Sequence, residues 1–354
     1  MGEPFRRAQE HGEVPMLIWT VCFGASVVLC CAFAGRLGQW LDVIDHPDGL
    51  RKQHARPTPL VGGIALMVPL VLLAGREALY RPGMGDIFGV LVVAGLGFML
   101  LGLFDDRHQA APNLRLLISV TVCSLLLLAE PGLRLKALEF GPLVIPLSVF
   151  ALPFTVLCLV GLQNAINMAD GLNGLVIGLS IFWTICLLLY APAPIIPFLS
   201  LMLMGLLILL VYNLSGRLFL GDAGSYSLAV SIGFLMIYVY HQADGVLPML
   251  TVVLWLLVPV LDCLRVMATR ILTNRSPLAA DTNHLHHRLA RCWPWPISVL
   301  VYLTVATLPG LVAALWPEQT GVMLLATLAS YASVLWVTRS RRLVTLRKRD
   351  LTAL

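Results

Sequence analysis

Long apolar runs alternate with short polar segments along almost the whole chain. A run of about 20 apolar residues is long enough to cross the hydrocarbon core of a bilayer as a helix. The pattern therefore predicts an all-α, polytopic integral membrane helical bundle with about eleven transmembrane helices. Three of the runs are short, so some helices are expected to be tilted or broken. The predicted spans are 16–35, 60–75, 87–104, 114–129, 147–168, 174–190, 194–212, 224–240, 247–267, 296–316 and 321–338.

The basic residues are unevenly divided between the two sides that these spans define. One side holds 18 of the 24 Lys and Arg residues, and the other holds six. Positively charged loops stay in the cytoplasm, which predicts a periplasmic N-terminus and a cytoplasmic C-terminus. The chain then consists of a short periplasmic N-terminus (1–15), a single transmembrane domain (16–338) and a basic cytoplasmic tail (339–354). All seven Glu lie outside and ten Asp lie inside, which indicates that the chemistry is cytoplasmic.

Composition supports the membrane assignment. The chain is 58% hydrophobic and only 12% charged, whereas soluble domains carry about 25% charged residues. Its net charge of +5 is compatible with anionic lipid or phosphate partners and does not argue for nucleic acid. Most of the eight cysteines lie inside apolar runs and none forms a C-x-x-C pair, so we expect small core residues rather than disulfides or zinc ligands.

The most unusual polar segment is NAINMADGLNG, residues 164–174, which ends an apolar run. Asn164 and Asn167 are three residues apart, so on a helix they share a face with Asp170. The two glycines that follow allow the backbone to turn and approach a ligand closely. The alternative is that these groups only form hydrogen bonds between helices. Their density at the edge of a span favours a functional site.

Two further acidic segments lie at predicted helix ends. In GLFDDRHQ, Asp105 and Asp106 are adjacent and repel each other unless a divalent cation or a proton neutralises them. In LFLGDAGS, Asp222 stands at the start of the eighth span, where it could hold a metal close to a phosphate. The simpler interpretations are a solvated helix end and an ordinary N-cap.

Two basic segments complete the set. Lys52 lies in the Pro/Gly-rich loop DHPDGLRKQHARPTP, which could bind a lipid phosphate or be an ordinary positively charged loop. His284, His286, His287 and Arg288 form HLHHRL, which suits recognition of a diphosphate. No H-E-x-x-H motif or matching Cys pair accompanies them, which argues against zinc. A solvated basic loop is the alternative.

Taken in this order, the five segments resemble the polyprenyl-phosphate N-acetylhexosamine-1-phosphate transferases of glycosyltransferase family 4. The resemblance implies transfer of a sugar 1-phosphate from a UDP-N-acetylhexosamine to undecaprenyl phosphate, with release of UMP. HLHHRL resembles the branch that uses UDP-GlcNAc and starts lipid-linked glycans such as O-antigen, common antigen or teichoic acid. The implied location is the bacterial cytoplasmic membrane with the active site facing the cytoplasm, and the family's tendency is to form a homodimer.

The resemblance also implies roles for individual residues of domain 16–338. Asp222 and Asn167 would hold Mg²⁺, or Mn²⁺, at the UDP diphosphate. Asp105 and Asp106 would act catalytically on the lipid phosphate or its proton. Asn173, which replaces an Asp usual in bacterial relatives, would meet the uracil. The other implied substrate-binding residues are Lys52 and Arg115 for the acceptor phosphate, Asn164 and Asp170 in the polar segment, and His284, His286, His287 and Arg288 around the diphosphate and sugar.

Other activities are compatible with parts of the same pattern. The same transfer could use UDP-linked GalNAc, FucNAc or QuiNAc. Intramembrane acids also occur in secondary transporters, but the Asp residues here cluster at one membrane face rather than near span midpoints. A Mg²⁺-dependent lipid-diphosphate hydrolase would need a positioned water and no nucleotide pocket.

Overall fold

The structure is a computed structural model that describes residues 16–47, 56–81, 83, 85–278 and 282–351; for 340–351 it gives the helix without the side chains. The described chain is helical almost throughout. Its helices are α1 (Met16–Ala32), α2 (Ala34–Leu41), α3 (Gly62–Tyr80), α4 (Gly85–His108), α5 (Pro112–Ala129), α6 (Ala151–Ala169), α7 (Leu175–Tyr190), α8 (Ile196–Leu214), α9 (Gly221–Gln242), α10 (Met249–Leu272), α11 (Leu285–Ala290), α12 (Trp295–Leu315) and α13 (Thr320–Leu351).

Nine helices in the described part of the chain are long and apolar enough to cross a membrane, and the α1–α2 pair could make a tenth span. Each predicted apolar run coincides with one of these helices or with α7. This confirms the prediction of a polytopic helical membrane protein. The runs at 60–75 and 114–129 form helices of 19 and 18 residues, so they are not short.

Helix α7 is the short one. Its 16 residues span about 24 Å, less than the hydrocarbon thickness of about 30 Å. Trp183 and Leu187 in this helix are fully buried. The ring N–H of Trp183 donates a hydrogen bond of 2.9 Å to the carbonyl of Trp255 in α10. Neighbouring helices therefore enclose α7.

A break lies between α1 and α2, inside the first predicted span rather than in one of the three short ones, and the helix axis bends there by 69°. Helix α1 is apolar nearly throughout, whereas α2 carries Arg36 and Gln39. Trp40 is 81% exposed, and the position of a Cβ on Gly38 would lie 2.6 Å from Pro59. The polar residues of α2 explain why it does not continue the apolar direction of α1.

Helix α9 is the centre of the bundle and packs most extensively on α4. Small residues allow its backbone to approach its neighbours. A Cβ at Gly63 in α3 would lie 2.1 Å from the backbone nitrogen of Gly224. A Cβ at Gly102 in α4 would lie 2.2 Å from the carbonyl oxygen of Asp222. The start of α9 is therefore held between two helix backbones.

Two antiparallel β-ribbons accompany the helices in the described part of the chain. Strands β1 (Ile44–Asp45) and β2 (Thr58–Pro59) pair next to the start of α3, while β3 (Ala137–Phe140) and β4 (Leu143–Pro146) form a hairpin between α5 and α6. The Phe219 N–H bonds to the Pro59 carbonyl at 2.9 Å, and the Gly62 N–H returns a bond of 2.9 Å to the Phe219 carbonyl. These bonds tie the start of α3 to the segment that leads into α9.

Candidate functional site

The predicted acidic and amide residues meet at one end of the bundle. Asp105 and Asp106 lie in the last turn of α4, Asn167 in the last turn of α6, and Asp222 in the first turn of α9. Asp170 follows the end of α6 directly. Three helices with distant positions in the sequence therefore place these side chains in one cluster.

Asp222 and Asn167 contact each other directly. The Asn167 side-chain amide donates a 2.6 Å hydrogen bond to Asp222 Oδ1 and a 3.2 Å bond to Ser225 Oγ. Both residues are half-buried. The structure thus brings together the two residues that were predicted to hold a metal, although they are 55 positions apart.

Asp106 caps the start of α9. Its Oδ1 accepts the N–H of Asp222 at 2.9 Å, and its Oδ2 accepts the N–H of Ala223 at 3.1 Å. A carboxylate at this position is stabilised by the unpaired N–H groups and the positive end of the helix dipole. Gly221 has φ +74°, and a Cβ there would lie 2.8 Å from Asp106 Oδ2, so the cap requires glycine.

Asp105 is buried and hydrogen-bonded at both oxygens. Its Oδ1 accepts the Ala110 N–H at 2.9 Å, while its Oδ2 accepts Arg115 Nη1 at 2.5 Å and the Tyr226 hydroxyl at 2.6 Å. Arg115 Nη1 also lies 3.0 Å from the Tyr226 oxygen. Asp105 and Arg115, which were predicted to have separate roles, form one ion pair. Tyr226 was not predicted; it lies four residues after Asp222 in α9.

The loop after α6 brings Asp170 toward this cluster. Burial and the nearby Asp106 carboxylate raise the pKa of Asp170 from 3.8 to about 7. Asn213 in α8 fixes the other end of the loop, because its Oδ1 accepts the Gly174 N–H at 2.6 Å and its Nδ2 donates to the Leu218 carbonyl at 3.1 Å. Asn213 is buried and was not predicted. Its position in YNLSG, one turn before a glycine, gives only a weak sequence signal.

The donor set suits a hard divalent cation. Carboxylate and amide oxygens are the ligands that Mg²⁺ prefers, and Mg²⁺ is usually held by one or two carboxylates plus substrate phosphates. Within the described ranges, no group of three or more His, Cys, Asp or Glu residues has the geometry of a complete metal site. Asp222 and Asn167 are carboxylate and amide groups of the type that bind Mg²⁺ together with substrate phosphates, and the nearby Asp106 and Asp170 carboxyl groups add negative charge.

The histidine segment forms the short helix α11 and covers the loop after α6. His286 is buried, and a Cβ at Gly171 would lie 2.2 Å from its Nε2. Neither ring nitrogen of His286 has a hydrogen-bond partner among the described residues. Burial and the adjacent His287 lower the pKa of His286 well below 6.5, so the ring is neutral. His287 is half-buried, with its ring centroid 4.1 Å from that of His286.

The remaining predicted residues are distributed around this centre. Asn164 donates a 2.8 Å hydrogen bond to the Val160 carbonyl of its own helix. Asn173 is half-buried in the loop after α6. Arg288 Nη2 donates to the Leu335 carbonyl in α13 at 2.9 Å, so this nitrogen is engaged within the protein. Lys52 lies outside the described residues.

All eight cysteines lie in the described part of the chain and all are free. Cys31, Cys123, Cys186 and Cys263 are buried, as expected of core residues, whereas Cys22 and Cys158 are exposed, so the prediction is wrong for these two.

Comparison with known proteins identifies relatives over most of the chain. The family model for glycosyl transferase family 4 matches residues 88–240. A probable undecaprenyl-phosphate N-acetylglucosaminyl 1-phosphate transferase of Bacillus subtilis (strain 168) is 29% identical over 273 residues, which cover 75% of this chain and 74% of the relative. An undecaprenyl-phosphate alpha-N-acetylglucosaminyl 1-phosphate transferase of Yersinia pestis is 30% identical over 292 residues, covering 75% and 74%. A decaprenyl-phosphate N-acetylglucosaminephosphotransferase of Mycolicibacterium smegmatis is 31% identical over 279 residues, covering 68% and 66%.

Proposed function

This chain belongs to glycosyl transferase family 4, and we propose that it transfers N-acetylglucosamine 1-phosphate from UDP-N-acetylglucosamine to a polyprenyl phosphate, with release of UMP. The observation that carries the proposal is the cluster of Asp106, Asp170, Asp222 and Asn167 at one end of the bundle, covered by His286. The names of three relatives specify the same sugar and a polyprenyl phosphate acceptor.

We place the donor between the cluster and α11. Asp222 and Asn167 would hold Mg²⁺ there, and the bound ion would neutralise charge on the donor diphosphate. His286 is neutral and can donate one ring N–H to a phosphate or sugar oxygen. Gly171 packs directly against the His286 ring, so α11 and the loop after α6 touch at one side of the proposed donor site.

Arg115 would bind the acceptor phosphate. Its Nη1 is used on Asp105 and Tyr226, and the rest of its guanidinium fork can donate to a phosphate. Asp105 would then act by fixing the direction of Arg115, while Asp106 holds the N-terminus of α9 and so positions Asp222. A direct catalytic role for Asp105 or Asp106 stays a prediction, as does the role of Lys52.

In the reaction, an acceptor phosphate oxygen forms a bond to the sugar-bound phosphorus. The bond from that phosphorus to the bridging oxygen breaks, and UMP leaves with the electron pair. The second pKa of a phosphate monoester is about 6, so the acceptor is already mostly dianionic at pH 7 and little proton transfer is needed. Positioning and charge neutralisation by the protein then dominate. One diphosphate replaces another, which makes the step readily reversible.

The chain is a multi-pass membrane protein. We propose that the cluster faces the cytoplasm, because the loops at its end of the bundle carry most of the Lys and Arg residues. A nucleotide donor is available on that side. Homodimer formation stays a prediction from the family resemblance.

The test is turnover by the full chain in membranes. UMP release from UDP-N-acetylglucosamine should require both undecaprenyl phosphate and Mg²⁺, and EDTA should abolish it. Asp222→Asn should lower turnover by about a hundredfold or more with normal protein levels, because one oxygen ligand is lost. Asp244→Asn is the matched control, since Asp244 is exposed beyond the far end of α9.

The lipid product is weighed by mass spectrometry with a panel of UDP-amino sugars. Preference for another sugar would change the donor but keep the reaction. Wild-type exchange of labelled UMP into UDP-sugar by Asp222→Asn would reject the metal assignment, and UMP release without polyprenyl phosphate would indicate a hydrolase.

A further inference from the structure

A buried aspartate outside the acidic cluster organises the histidine helix. Asp262 lies in the second half of α10, inside an apolar span, and is 4% exposed. Its Oδ1 accepts Arg265 Nη2 at 2.8 Å and the Tyr331 hydroxyl at 2.9 Å. The carboxylate therefore joins α10 to α13. A charged group in such a position is retained only with full pairing, which makes it a candidate for a functional role.

The other oxygen of Asp262 holds the start of α11. Its Oδ2 accepts His284 Nδ1 at 3.1 Å and the Leu285 N–H at 3.0 Å. Arg265 adds a second connection, because its Nη2 donates to the Asn283 carbonyl at 2.6 Å. One ion pair thus fixes both the backbone and the first side chain of the histidine segment.

The two buried histidines of this segment have different surroundings. His284 donates from Nδ1 to Asp262, and its Nε2 lies 3.5 Å from Arg270 Nη2, which can donate to it. Both ring nitrogens of His284 are therefore engaged within the protein. His286 is 1% exposed, lies over Gly171, and has no partner for either nitrogen among the described residues. The two rings are stacked with centroids 5.9 Å apart.

We propose that Asp262 is a positioning residue which, through His284 and the Leu285 N–H, fixes α11 so that His286 contacts the UDP-sugar. In this arrangement His284 belongs to the support and His286 touches the donor. The inference rests on the proposed function, since it assigns a donor-binding task to His286. The two histidines then have different roles, and Asp262 of α10 supports both of them.

Asparagine cannot replace Asp262 in this network. Both oxygens of Asp262 accept hydrogen bonds from N–H or O–H groups. In asparagine an NH2 group replaces one of these oxygens, and this donor would face another donor whichever way the amide is turned. Asp262→Asn should therefore release α11 and raise the KM for UDP-N-acetylglucosamine about tenfold to a hundredfold, as expected for loss of hydrogen bonds to a charged group. The KM for undecaprenyl phosphate should change less than about threefold.

Thr251→Val is the matched control. Thr251 is buried in the same helix and its Oγ1 lies 2.8 Å from Thr320 Oγ1 of α13, so the variant breaks a buried α10–α13 hydrogen bond far from α11. It should leave both KM values unchanged. If Asp262→Asn fails to accumulate in membranes, Tyr331→Phe takes its place, because it removes one donor from Asp262 and keeps the carboxylate.

Double variants separate positioning from general destabilisation. Asp262→Asn combined with His286→Ala should bind UDP-N-acetylglucosamine no more weakly than His286→Ala alone, because both changes remove the same contact. His284→Asn should retain most of the affinity, since the Asn amide can replace Nδ1 as donor to Asp262, whereas His284→Ala should not. Calorimetric titration of UDP-N-acetylglucosamine into the full chain measures these affinities without turnover.

The outcomes are distinguishable. Two results would overturn the inference and leave the proposed function intact. One is a loss of UDP-N-acetylglucosamine affinity in the double variant equal to the product of the two single losses. The other is an equal KM for UDP-N-acetylglucosamine in active Asp262→Asn and Thr251→Val variants. A wild-type chain that neither binds UDP-N-acetylglucosamine nor releases UMP would reject the proposed function and the inference with it.

Discussion

The close contact between α4 and α9 allows the effect of replacing Gly102 by alanine to be predicted quantitatively. A Cβ at this position would lie 2.2 Å from the Asp222 carbonyl oxygen and 2.4 Å from the Ala223 nitrogen. Neither atom belongs to a flexible side chain, so an alanine there must push the backbone of α9 away. Restoring ordinary van der Waals distance requires a shift of about 1.2 Å.

Such a shift moves the Asp222 carboxylate, which we propose as a metal ligand, together with its backbone. A displacement of about 1 Å in a catalytic constellation can cost about a hundredfold in rate. Forcing extra atoms into a packed contact also costs about 1–3 kcal/mol of unfolding free energy. Gly102→Ala should therefore lower the specific rate of UMP release about a hundredfold, and the thermal unfolding midpoint should fall.

Gly97→Ala provides the comparison, because Gly97 lies in the same helix and its nearest neighbour to a new Cβ is Val122 Cγ1 at 3.9 Å. Both variants gain the same helix propensity of about 1 kcal/mol. UMP release is normalised to folded protein measured by size-exclusion chromatography in detergent. Equal specific rates for the two variants would refute the reasoning from backbone contact.

Two further predictions concern the loop after α6. Because the pKa of Asp170 is raised to about 7 in the folded protein, its contribution to stability is complete below 3.8 and is lost as the pH rises through about 7. In EDTA, the thermal unfolding midpoint of the wild type should fall as the pH rises from 3.8 to about 7, and that of Asp170→Asn should fall less. Parallel plots of midpoint against pH for the two proteins would contradict this. Asn213→Ala leaves the Gly174 N–H and Leu218 carbonyl unpaired, which should cost about 1–3 kcal/mol each. Denaturant titration measures that loss, and the KM for UDP-N-acetylglucosamine should rise with it; an unchanged midpoint would exclude the role of this bridge.

The hydrophobic pattern was sufficient to predict the helices, because each apolar run long enough to span becomes one. It could not place the break at Phe33, since the apolar character of the chain continues through that residue. The hairpin of β3 and β4 was also missed, because its strands contain only four residues each. Both features depend on tertiary packing at the ends of the apolar helices rather than on sequence periodicity.

Residues of the cluster that belong to a local sequence motif were predictable. Contacts between residues that are far apart in the sequence were not. The polar segment and the two acidic segments pointed to Asn167, Asp106 and Asp222, but no rule of spacing connects Asn167 with Asp222 across 55 residues. Arg115 was assigned to the acceptor without its bond to Asp105. The lone acid Asp262 inside an apolar run was the sequence signal that could have revealed the support of α11.

The support of α11 has a consequence for biogenesis. Insertion proceeds from the N-terminus, so α4, α6 and α9 can assemble their aspartates while the C-terminal helices are still being synthesised. Tyr331 and the Leu335 carbonyl, which hold Asp262 and Arg288, reach the membrane last. An unfinished chain therefore lacks the bonds that hold α11, and we expect the enzyme to become competent only after its final helix has docked.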